Sequence, residues 1–164
     1  MESIRNLVFV LLGVGGLVYG SSSGDAGAQA VNQKKRVIDT GEIQRLTTKA
    51  GVPISVAVAD DTYVYVSALA PFDLEAGSMV EGSIEDQAEQ VLKNLETVLK
   101  AAGSSLDQVL NVTVYVASSE KSAFDSFNRV FRKYFPSAPP SRNWVPITGF
   151  QLGQKLEVAA IALL

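Results

Sequence analysis

Near its C terminus the chain carries Leu156-Glu-Val-Ala-Ala-Ile-Ala-Leu163, an almost unbroken apolar run of strand length. Successive side chains of a strand point to opposite faces. Leu156, Val158, Ala160 and Ala162 therefore line one face, and Ala159, Ile161 and Leu163 the other. A strand apolar on both faces needs cover on both. Helices of the same chain can cover one. The other calls for a second copy of the chain, the favoured reading, or for a barrel closed within one chain.

The segments before it supply helices for that purpose. Ile54–Ala59 places Ile54, Val56 and Val58 at period two, and Tyr63–Ser67 resumes the strand pattern after a turn at Asp60-Asp61. Pro71 to Gly82 reads as a loop. Ser83 then opens a helix, with Glu85 and Asp86 placing negative charge in its first turn. Ala88, Val91, Leu92, Leu95, Val98 and Leu99 repeat at three and four residues to make one apolar stripe, which Gly103 terminates. Val109–Val116 alternates as a strand. A second helix runs over Ser122–Tyr134, its apolar side being Phe124, Phe127, Val130, Phe131 and Tyr134, and Pro136, Pro139 and Pro140 end it. Strands over Arg142–Ile147 and Lys155–Leu163 close the chain. The expected order is β-β-α-β-α-β-β: an α+β fold with a mixed sheet and both helices on one face, since each has a single apolar stripe.

Chemistry is narrowed by two absences. Among 164 residues there is no histidine and no cysteine. That removes a Ser-His-Asp triad, a thiol nucleophile, a thiolate or imidazole zinc site and any disulfide framework. The formal net charge of −3 argues against a nucleic-acid binder, which ordinarily carries a basic patch. Arg, Lys, Asp, Glu, Tyr, hydroxyls, backbone amides and water are left to act, with no metal implied.

Residues 1–36 are a different kind of sequence. Leu7 to Gly20 is uncharged and apolar, shorter than the roughly 20 residues a membrane-spanning helix needs and interrupted by four glycines. Its length suits the core of a secretory signal peptide, but Glu2 offsets Arg5 ahead of it. A cleaved targeting peptide and a retained anchor or docking segment both stay open. The first implies a secreted or organellar protein, the second membrane association through residues 7–20; otherwise the chain is cytoplasmic. The basic cluster Lys34-Lys35-Arg36 leads into a domain over residues 37–164.

Within that domain a set of segments, in order and at fixed spacing, resembles the Rid (YjgF) family of reactive-imine deaminases. They are Tyr65-Val-Ser-Ala-Leu-Ala-Pro71, Ser83–Leu95, Leu99–Val109, Val112-Thr-Val-Tyr-Val116, Phe127-Asn128, Tyr134-Phe135-Pro136, Pro139-Pro-Ser-Arg142 and Leu156–Ile161. The resemblance implies a chorismate-mutase-like α+β fold and a barrel-like homotrimer with a cleft at each subunit interface. It implies hydrolysis of 2-imino acids such as 2-iminobutanoate and 2-iminopropanoate to 2-oxo acids and ammonia, without a cofactor. Arg142 stands where the family's substrate-binding arginine stands, and an arginine fork suits a carboxylate because it donates two parallel charge-assisted hydrogen bonds. Glu157 matches the acidic residue that manages the attacking water, and Asn128 an asparagine near the cleft.

Three positions depart from the family pattern. Val52-Pro53 is followed by Ile54 where the family has a cleft tyrosine. Ser67-Ala68-Leu69 replaces Ser-Gly-Gln, so Ala68 occupies a position where a glycine backbone approaches the substrate. Trp144 replaces a cysteine two residues past the arginine. These substitutions keep a second reading open, that of a non-catalytic trimeric ligand-binding or scaffold member, which extends to a membrane-tethered subunit. Taken without any family, Arg142 is better explained as a guanidinium stacked on a ring, and Glu157 can be read as a carboxylate paired with Arg142 across an interface.

Overall fold

The computed structural model describes residues 34–164. The readings made for residues 1–33 lie outside the described residues. Among the described residues no helix is long and apolar enough to cross a membrane.

Eight strands and three helices follow one another. They are β1 (Arg36–Val37), α1 (Glu42–Lys49), β2 (Ala57–Ala59), β3 (Tyr63–Leu69), β4 (Phe72–Asp73), β5 (Ser78–Met79), α2 (Ile84–Ala102), β6 (Val109–Val116), α3 (Lys121–Tyr134), β7 (Ser141–Pro146) and β8 (Leu156–Leu163). Six strands form one mixed sheet in the order β1-β2-β3-β8-β6-β7, and β4 pairs with β5 as a separate small hairpin. All pairings in the main sheet are antiparallel except β6 with β7. The doubly apolar segment is thus β8, held between β3 and β6.

The core lies between one face of this sheet and the helices. Val64 and Val66 of β3, Val112 and Val114 of β6, and Leu156, Val158, Ala160 and Ala162 of β8 are buried in one cluster with Val91, Leu92, Leu95, Val98 and Leu99 of α2. Burying such side chains contributes about 1.5–3 kcal/mol each, as an upper estimate. α3 packs beside α2 and adds Phe127, Val130 and Phe131; Arg129 and Lys133 reach across to Glu85 and Glu89 of α2. Both ends of α2 are stopped by local chemistry. The Ser83 hydroxyl accepts from the Asp86 N–H while the Asp86 carboxylate accepts from the Ser83 N–H, a reciprocal cap that also holds the Asp86 carboxyl below its usual range. At the other end Gly103 adopts φ +83°, and Ser104 N–H returns to the Leu99 carbonyl.

Four details differ from the sequence reading. α1 was not expected: it has no buried residue, and its Ile43 only leans on the core, so its apolar stripe is faint. Its Gln44 brackets the following segment, accepting from Val56 N–H and donating to the Ile54 carbonyl, and residues 54–56 are consequently outside β2 rather than its first half. The stretch from Pro71 to Gly82 contains the β4–β5 hairpin rather than loop alone. Finally, β1 begins at Arg36, the last residue of the basic cluster placed ahead of the domain.

The second face of β8 behaves differently from the first. Glu157, Ala159, Ile161 and Leu163 are only half-buried, and Tyr65 beside them on β3 is 42% exposed. No helix among the described residues covers that face, and its apolar side chains are left partly exposed.

Candidate active site

Arg142 sits on β7 opposite Val112, which is itself opposite Ala160, both fully or nearly fully buried. Residues directly opposite in register share a face. Arg142 therefore points to the helix side of the sheet, and so does Trp144, two residues on. There the guanidinium meets the aromatic stripe of α3. Its carbon lies 4.8 Å from the centroid of Phe131, 5.3 Å from Phe124 and 5.5 Å from Phe127. Trp144 completes the wall, edge-on to Phe124 at 5.2 Å and tilted against Phe127 at 5.6 Å. Asn128 is one turn past Phe124 and borders the same stripe, half-buried.

No carboxylate among the described residues comes within salt-bridge distance of Arg142. Its pKa is lowered, first by loss of solvent and then by the positive charge of Arg132. A guanidinium stays charged under such conditions. The arrangement is therefore a partly desolvated cation stacked on ring faces, a setting in which a guanidinium can bind a carboxylate strongly.

Glu157 is on the other side. It lies opposite Tyr115 on β6, three positions along from Val112, and an odd step reverses the face. Its carboxyl accepts a 2.6 Å hydrogen bond from the Gln154 amide, and burial raises its pKa above the usual carboxylate value while that bond works in the opposite direction. Ala68 belongs with this half. It falls at the irregularity between Val66 and Leu69 where β3 pairs with β8, and is exposed. It also borders an apolar groove of about 270 Å³ lined by Ile43, Leu46, Leu69, Phe72 and Leu152. Ile54, 46% exposed, lies at the end of the segment that α1 brackets.

The five residues singled out from sequence thus fall into two groups. Arg142, Trp144 and Asn128 form a cationic, aromatic half at the β7 edge. Glu157 and Ala68 form an acidic half on β8 and β3. Within one chain the sheet separates Arg142 from Glu157, with β6 between their strands, so Trp144 does not stand between them. Sequence reasoning assigned Phe124, Phe127 and Phe131 to the core alone. Their spacing marks a stripe, but the strand residue that meets it is set by packing. It passed over Gln154, whose only sequence signal is its place three residues before Glu157.

Residues 42–164 match the family described as Endoribonuclease L-PSP. The chain is 34% identical over 120 residues to the 2-iminobutanoate/2-iminopropanoate deaminase of Mus musculus, covering 71% of this chain and 87% of that protein. Among solved structures it resembles RidA from the Antarctic bacterium Psychrobacter sp. PAMC 21119, with TM-score 0.64 and 31% identity over 68% of this chain and 89% of that one. It also resembles E. coli TdcF with bound serine, with TM-score 0.63 and 26% identity over 68% of this chain and 88% of that one. The chain belongs to this family, the Ribonuc_L-PSP or YjgF/Rid family.

Proposed function

We propose that the protein is a hydrolytic deaminase of 2-imino acids whose active site forms between copies of the chain, as a homotrimer. The observation that carries this reading is the Arg142 guanidinium, partly desolvated among three phenylalanine rings with no carboxylate near it among the described residues. It is built to receive an anion from outside the chain. Family membership supports the class of reaction, because the mouse relative is named for 2-imino acid deamination and TdcF holds serine, which carries a carboxylate beside a nitrogen-bearing carbon.

The chemistry asks little. Arg142 takes the substrate carboxylate in its fork and so places the iminium carbon. Water adds to that carbon, the C=N pair moves onto nitrogen, and Glu157 accepts the proton the water loses. Glu157 then returns the proton to nitrogen. The carbinolamine C–N bond breaks as the hydroxyl proton is lost, leaving a 2-oxo acid and ammonium. Burial of Glu157 raises its proton affinity toward the range useful to a group that must both take and give a proton. Because Arg142 and Glu157 face opposite sides of one sheet, an Arg142 half of one copy meets a Glu157 half of the next. The uncovered face of β8 is the surface such an assembly buries.

The test generates 2-iminobutanoate with a threonine dehydratase and follows its decay by semicarbazide trapping. Acceleration by the wild type and its loss in Arg142→Ala are the expected result. No acceleration by pure protein overturns the reading and favours a non-catalytic ligand binder.

A further inference from the structure

Gln154 is 6% exposed, an unusual place for an amide directly before a strand. Its Nε2 donates to Glu157 Oε1 at 2.6 Å, while its own Oε1 is buried and has no partner among the described residues. A buried carbonyl oxygen without a partner is costly, so the Nε2 bond to Glu157 is the interaction that anchors this side chain.

The surrounding chain holds that position firmly. Gly153 turns in with φ +78°. The next residue is clamped on both sides: Lys155 N–H donates to Gln87 Oε1, and the Lys155 carbonyl accepts from Ala117 N–H. Gln87 is itself 3% exposed and donates to the Val80 carbonyl. Gln154 is therefore fixed from its backbone outward, and its one committed hydrogen bond goes to the carboxylate.

Other groups do not perform this service. Across from Glu157, β6 presents Tyr115, and on the β3 side the pairing ends one step short of it, at Leu69 opposite Val158. Lys155, directly before the strand, gives its ammonium to the Gly82 carbonyl. No cation among the described residues reaches Glu157.

We propose that Gln154 is a positioning residue for Glu157: its buried amide holds one carboxylate oxygen in place and leaves the other oxygen to the water. This role rests on the deaminase reading only for its catalytic consequence; the coupling between the two side chains stands apart from it. Burial works against the ionised carboxylate and the Gln154 donor works for it. Removing the donor while keeping the shape lets burial act alone.

The experiment compares full-length wild type with Gln154→Met, and follows the Glu157 carboxyl by 13C NMR against pH, the signal being assigned with Glu157→Gln. The midpoint is expected to rise by about one pH unit in Gln154→Met, the size of shift a charged-group hydrogen bond produces. The acid limb of the kcat/KM profile should move with it. At pH below the new midpoint kcat should fall about tenfold with KM nearly unchanged, and the deficit should shrink at high pH. Gln154→Asn keeps an amide but withdraws it by one methylene, and should show the same rise if the methionine variant folds poorly. A midpoint unmoved in both variants overturns the proposal, because a merely structural glutamine would change stability and leave the titration where it was. If wild type leaves 2-iminobutanoate untouched, the deaminase reading falls, and the carboxyl titration by itself decides the role of Gln154.

Discussion

The β7 edge and the open face of β8 each hold one charged side chain, and they stabilise it by different means. Arg142 rests on ring faces and has no oppositely charged neighbour among the described residues. Glu157 leans on a single buried amide and sits on a face of the sheet that the helices do not cover. Aromatic faces suit a cation because their electron-rich surface attracts it without neutralising it. A carboxylate has no such option and takes an N–H donor instead. The two groups are thus of opposite sign and differently supported, one by rings and one by an amide. The proposed site between copies would use the first as a fork for a carboxylate and the second as a base for water.

The comparison breaks most sharply at the cation. Arg142→Ala is expected to lower kcat/KM for 2-iminobutanoate about 100-fold or more, the loss of a bidentate charge-assisted contact. Stability should change little, since a cation–π contribution of about 0.5–2 kcal/mol is lost together with a desolvated charge. The imine-trapping assay and a urea titration read the two effects separately.

Subunit mixing asks whether the halves belong to different chains. Arg142→Ala and Glu157→Gln, each inactive, are unfolded together in equal amounts and refolded. If the site lies between copies, about a quarter of the interfaces pair an intact arginine half with an intact acid half, and activity should return to roughly that fraction. No recovery above either parent would place both halves in one chain and sink the interfacial site.

The acid half is next. Glu157→Gln is expected to lower kcat about 100-fold at neutral pH. It should also stabilise the protein there. The folded-state pKa of Glu157 is raised, chiefly by burial, so the folded protein binds more protons than the unfolded chain between the unfolded and folded values. The stability associated with Glu157 is fully present below the unfolded pKa and is lost as pH rises through the folded one. The variant's advantage should therefore vanish in acid; thermal unfolding at several pH values checks the sign.

Smaller effects separate packing from chemistry. Trp144→Ala removes ring contacts with Phe124 and Phe127 and should cost about 2 kcal/mol in urea unfolding, as expected for a half-buried aromatic. Ser83→Ala should cost about 1 kcal/mol in urea unfolding through loss of the α2 cap.

Much of the fold was legible in the sequence. The α2 stripe, its Ser83 start and its Gly103 end are local facts, as are the alternation of Val109–Val116 and the ring stripe of α3, and each fell where the pattern placed it. α1 was not legible, because a helix with no buried residue carries only a weak periodic signal. The β4–β5 hairpin was missed because two-residue strands are too short to show alternation.

For the candidate site the division is cleaner still. The sequence by itself determined that Arg142 and Trp144 share a face of one strand and that Leu156 and Glu157 do not, because side chains alternate at period two. It could not relate the two strands. Whether Arg142 and Glu157 face the same side depends on the registers of β7 against β6 and of β6 against β8, and a slip of one residue in either would reverse the answer. Those registers are set by which side chains bury best against α2 and α3 when the whole sheet is packed. Only the tertiary structure therefore decided that this chain presents Arg142 and Glu157 on opposite faces of its sheet.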